Sequence, residues 1–223
     1  MNAELHARPH TRLPALALVG AGLSSVLAMA FHPTAHGVDT EARLHSLAEM
    51  SSLSMHVHLA MIGLIVALWC SLAYLARQWS PSGWVWLATR FYAIGASALL
   101  GAALISGFLI GAYLGRMPPA ASAAHEVLPS VLLAYSANQV LAGFGTVFLS
   151  LAIALWSVEL VRSSGRLARV CGYYGIVAGA VCVAAYAGGL LSLDVTGMTA
   201  VVVAHGAWYC LLGVWAARRA APG

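Results

Sequence analysis

Lysine is missing from this chain, and charge of any kind is scarce. Only 8% of the 223 residues are charged, where a soluble domain carries about a quarter. With 61% of residues hydrophobic, this excludes an ordinary water-soluble fold and places the chain in the membrane class. Every fixed positive charge is an arginine. The net charge of +4 does not make a nucleic-acid surface, because the arginines fall in the gaps between apolar runs, where topology signals belong. Cysteine is sparse too. Cys70, Cys171, Cys182 and Cys210 lie within apolar runs without a CxxC spacing, so neither a disulfide nor a thiolate metal site is expected. No internal repeat or low-complexity tract appears, and no loop is long enough to hold a soluble domain. The hydrolase signatures G-x-S-x-G and H-E-x-x-H are also absent.

What the chain has in quantity is uninterrupted apolar sequence. A membrane helix needs about 20 such residues to cross a hydrocarbon core about 30 Å thick. Six segments meet or nearly meet this: 14–31, 54–76, 91–115, 130–158, 168–192 and 198–217. The expected fold is therefore all-α, a polytopic membrane helical bundle forming a single integral membrane domain over residues 1–223. The first segment follows Arg8 and Arg12 and ends in Ala28-Met29-Ala30, which is also the shape of a secretory signal with its cleavage site. We read it as a retained first span.

Arginine placement sets the orientation. With six spans, one side holds Arg8, Arg12, Arg77, Arg90, Arg162, Arg166, Arg169, Arg218 and Arg219, and the other only Arg43 and Arg116. Nine against two predicts cytoplasmic termini in the cell inner membrane, with Trp79, Trp84, Trp86, Trp156 and Trp215 forming an aromatic belt near that interface. On the opposite, outer side, residues 39–50 carry Leu44, Leu47 and Met50 at helical spacing. This predicts a short amphipathic helix on the outer membrane surface. Pro118-Pro119 breaks the next outer loop. Gly107, Gly111 and Gly115, four apart, and the pair Gly175 and Gly179 are expected to serve close helix packing within the bundle.

The remaining polar residues are strongly polarised. His32, His36, His45, His56, His58 and His125 fall in outer loops or outer helical turns, and His205 about 10 Å inside the sixth span. Only His6 and His10 lie on the inner side. Apart from the initiator, every methionine is outer: Met29, Met50, Met55, Met61, Met117 and Met198. Acidic residues there partly mirror the exclusion of arginine, but imidazoles and thioethers have no topological reason to gather. Together they suit copper, or the axial positions of a haem. On a helix, positions two apart diverge by about 200°, so His56 and His58 cannot both face the bundle interior. His58 with His205 is the first candidate pair and His56 with His125 the second. Asn138 and Gln139 stand at a depth where they can orient a ligand histidine.

The stretch Met55 to Gly63, MHVHLAMIG, resembles the start of the second helix in small relatives of haem–copper oxidase subunit I. There a histidine in an HxHLxxxG setting holds a low-spin haem. The resemblance covers these nine residues, with no HxEVY-like segment after them and no paired histidines later. It implies His56 or His58 as a haem ligand.

Three functions follow as expectations. The first is a redox protein holding haem b through His58 (or His56) and His205. The second is copper binding by an outer set drawn from His56, His58, His125, His205, Met55 and Glu126, with Glu49 also in range. The third is an accessory subunit or small transporter without a metal. A zinc hydrolase built from His56, His125, Asp194 and His205 is a more distant reading. With so little mass outside the bilayer, a redox role implies a partner, either a membrane subunit or a periplasmic redox protein.

Overall fold

The computed structural model describes residues 12–78, 82–116 and 123–220, and for residues 123–125 the backbone alone. Its helices are α1 (Arg12–Ala30), α2 (Thr40–Glu49), α3 (Ser51–Gln78), α4 (Gly83–Leu104), a π-helical turn (Ile105–Leu109), α5 (Ile110–Leu114), α6 (Ala123–Arg162), α7 (Arg166–Ala187) and α8 (Val195–Arg219). No strand occurs among the described residues. Six helices are long and apolar enough to cross a membrane, α4, the π turn and α5 acting as one. The protein is therefore an all-α, multi-pass bundle. Large apolar side chains such as Leu16, Val140 and Val177 stay exposed on its flanks, where lipid is the solvent.

The spans follow the expected order, with shifted ends. The third begins at Gly83, not 91, and takes in Arg90 because the guanidinium lies over the Trp86 ring, 5.3 Å from its centroid. Arg162 over Trp84 and Arg219 over Trp215 repeat the device at the same end. Trp156, expected in that belt, is instead fully buried in the core, and Trp79 lies outside the described residues. The fifth span stops at Ala187, not 192. Gly189 takes a left-handed φ of +70°, and Leu190 N–H reaches back to the Ala185 carbonyl, closing the helix end.

Packing closes a ring. α1 packs on α3, α3 on α4, α4 on α6, α6 on α7, α7 on α8, and α8 back on α1. Helix α1 is an integral part of it. A Cβ on Gly22 would sit 3.1 Å from the Gly206 carbonyl of α8, a tight contact that glycine relieves. Near the arginine-rich end the interior is filled by Leu72, Tyr92, Trp156, Leu160, Trp208 and Leu212. Trp208 Nε1–H donates to Ser157 Oγ at 2.9 Å, and the Tyr92 and Tyr209 hydroxyls lie 3.1 Å apart. Near the opposite end α2 folds over the bundle. Its Leu44 is buried among Leu114, Val127 and Val131, so its apolar stripe faces protein where the sequence suggested lipid.

A candidate cofactor cavity in the arginine-poor half

Beneath α2 lies a cavity of about 680 Å³. Its walls come from the arginine-poor halves of α1, α3, α4, α6 and α8, from the π turn and α5, and from α2 as a roof. The size falls within the range of pockets that hold cofactors and drug-sized ligands. Most of the wall is aliphatic, and the polar groups are few and placed at defined points.

His58, seven residues into α3, is 4% exposed and lines the cavity. Its Nδ1–H donates to the Ser54 carbonyl at 2.8 Å, one helical turn back, which fixes the tautomer and leaves Nε2 as the basic nitrogen. Ser54 Oγ, 3.3 Å from the same Nδ1, itself donates to the Ser106 carbonyl in the π turn. Gly107 completes the seat: a Cβ there would overlap Cβ and Cγ of His58. A π turn is a common mark of a functional site, and here it sets Gly107 against the imidazole and the Ser106 carbonyl on the Ser54 hydroxyl beside it. The Gly107–Gly111 stripe thus packs on α3, Gly111 facing Ser51.

His32, in the loop after α1, stands beside His58 with ring centroids 5.0 Å apart, edge to face. Its Nδ1–H donates to the Pro33 carbonyl at 3.1 Å, again leaving Nε2 basic. Burial, then the neighbouring His58, hold its pKa below the usual 6.5, against an opposing pull from the Pro33 bond. His32 is therefore neutral at pH 7. His205, ten residues into α8, is 5% exposed and lines the deeper wall, its Nε2 held 3.0 Å from Ser150 Oγ of α6. One turn before Ser150, the Thr146 hydroxyl is buried in the same wall without a hydrogen-bond partner among the described residues. Met29, Met50, Met61 and Met198 complete the chemically versatile lining.

The expected site residues divide accordingly. His58 and His205 meet the same cavity. His56 points away, exposed, with Nδ1 on the Ser52 carbonyl at 2.7 Å, as the 200° divergence from His58 requires. Met55 and Glu126 are also exposed and do not line it. The His125 side chain, Met117 and Pro118-Pro119 lie outside the described residues. Glu49 pairs with His45 at 3.4 Å on the surface. Asp194 caps α8, accepting from Gly197 N–H and Ser192 Oγ, each at 2.9 Å. Asn138 and Gln139 line the cavity, but Gln139 donates to the Leu193 carbonyl at 3.4 Å rather than to a histidine. Among the described residues no group of three His, Cys, Asp or Glu side chains is close enough to hold a metal ion.

Sequence reasoning missed four of these features: the seat at Gly107, the Ser150 partner of His205, the orphan Thr146 and the contact of His32 with His58. Thr146 and Ser150 share one face of α6, as their spacing of four implies, but nothing in the sequence says that this face turns toward His205.

Compared with known proteins, the chain matches no family model, no curated protein and no solved structure.

Proposed function

We propose that this chain binds haem b within the outer half of its bundle and serves as a membrane redox protein. One observation carries the reading: a large, mostly aliphatic cavity whose wall presents an imidazole with Nδ1 tied to a carbonyl and Nε2 free. That is the form in which histidine serves as a metal ligand, and the cavity is far larger than a bare ion requires. The chemistry of the lining fits the group: apolar surface for a porphyrin, a seated nitrogen base for iron, and polar side chains at the rim.

Haem, when bound, supplies one-electron transfer at a potential set by ligands and burial. The chain's residues do the rest. His58 is the assigned iron ligand, held by Ser54 and Gly107. His205 offers a second in exchange for its bond to Ser150. Met61, Ile65, Leu99 and Val201 exclude water, and α2 roofs the site. Electrons would pass at the arginine-poor end, which the arginine asymmetry assigns to the outer face of the inner membrane, to a membrane or periplasmic partner.

A second reading rests on the His32–His58 contact. With metal–nitrogen bonds of about 2.0–2.1 Å, two imidazoles on one tetrahedral ion have centroids about 5 Å apart. Two basic Nε2 atoms, in a cavity also lined by the Met29 and Met61 thioethers, suit Cu(I). One experiment separates the readings: absorption spectra of the purified protein, oxidised and dithionite-reduced, with iron and copper quantified on the same sample. A Soret band with resolved reduced α and β bands and one iron per chain is expected. Stoichiometric copper without a Soret band transfers the site to the histidine pair. Neither metal sinks both and leaves an accessory or transport role.

A further inference from the structure

At the rim of the cavity, α2 presents Arg43, the single arginine in a lining that contains no lysine. Its position runs against the topology. The chain places nine arginines at one end and two at the other, and one of those two stands at the cavity mouth. Nothing acidic accounts for it. The one ion pair among the described residues joins His45 to Glu49, and both oxygens of Asp194, the carboxylate in the lining, are taken by the α8 cap.

The exposed guanidinium is also tethered. Asp39 caps α2 by accepting from Ala42 N–H at 2.8 Å, and Gly37, at φ +150°, turns the preceding loop against Ala42 and Arg43. Ser46 Oγ holds the His36 N–H at 3.2 Å, strapping loop to helix. Arg43 then donates Nε–H to the Gly37 carbonyl at 3.2 Å, and its two terminal nitrogens make no hydrogen bond among the described residues. Thr34 and Thr40 also line the rim, and aliphatic wall lies below. A tethered cation with a free bidentate edge, above an apolar chamber, is built to take a carboxylate attached to an apolar body.

We infer that Arg43 anchors the carboxylate of an amphipathic ligand whose apolar body fills the cavity. Two sources share that chemistry: the propionates of haem, in which case the inference rests on the haem reading, and the head of a fatty acid.

The test titrates purified apo-protein in detergent with haemin and with haemin dimethyl ester, for wild type, Arg43→Gln and Arg43→Lys. A charge-assisted pair predicts that Arg43→Gln weakens haemin about tenfold and leaves the ester unchanged, with Arg43→Lys between. Equal loss for acid and ester, or no loss for either, overturns the inference. If wild type binds no haemin, the haem reading fails, and the same comparison is made with palmitate and hexadecanol. Selective loss of palmitate in Arg43→Gln then supports the anchor with a lipid source. No binding of palmitate, or equal effects on acid and alcohol, overturns it.

Discussion

The two ends of this bundle use the same helices for opposite purposes. At the arginine-rich end the interior is solid: Trp156, Trp208, Tyr92 and Leu212 interlock, and tryptophan and tyrosine polar atoms pair across helices. At the arginine-poor end the interior is hollow, walled mostly by aliphatic residues, with three histidines and four methionines. Interlocked aromatic side chains make one half a structural core, and the other half is left open as a chamber. Stability should therefore reside mainly in the first and binding in the second.

That division can be broken or sharpened by substitution, read as unfolding free energy in detergent beside haemin affinity. The largest effect belongs to Trp208→Ala, which empties the solid half and strands Ser157, at about 3–5 kcal/mol. Next comes Gly107→Ala. The new methyl overlaps His58, and an overpacked contact costs about 1–3 kcal/mol, with loss of ligand binding beyond what stability explains. A matched pair is more pointed. Ala152→Leu, in the solid half, should cost about 1–3 kcal/mol, while Ala103→Leu, facing the chamber, should leave apo-protein stability within about 0.5 kcal/mol and still reduce binding. If the two cost the same, the division is wrong.

Smaller still is Thr146→Val. Removing a buried hydroxyl that has no partner among the described residues should stabilise apo-protein by about 1 kcal/mol, and any loss of ligand affinity marks Thr146 as a contact. Acid should show the weakest effect. A His32 pKa held below 6.5 means the unfolded chain binds its proton more readily. Its contribution to stability is thus constant above about pH 6.5 and falls as pH drops below it, until the folded-state pKa is passed. His32→Gln should reduce the pH slope of the melting temperature in that window.

Much of this division was legible in the sequence. Hydrophobic runs announced six spans, and the periodicity of α3 that His56 and His58 must part company. The hollow itself was not legible, because a void depends on which small residues from different helices meet. Ala103, Ala142 and Gly111 look like ordinary membrane-helix residues until they share one space. The π turn was hidden for a similar reason, since its single extra residue leaves no trace in an apolar run. Helix α2 showed its amphipathic pattern plainly, but the pattern cannot say whether lipid or protein covers the apolar face. His32 stayed unassigned because its position depends on a loop folding back over α3. The end of α7 could have been placed from Gly188-Gly189, a glycine stop inside an apolar segment.

The central claim, a haem chamber built on His58, is tested most directly by purifying His56→Ala and His58→Ala side by side and recording reduced-minus-oxidised spectra. The two residues are two positions apart on one helix, one seated in the chamber wall and the other turned outward. The account predicts haem bands of wild-type intensity in His56→Ala and their loss in His58→Ala. Bands retained in His58→Ala, or lost only in His56→Ala, would contradict it.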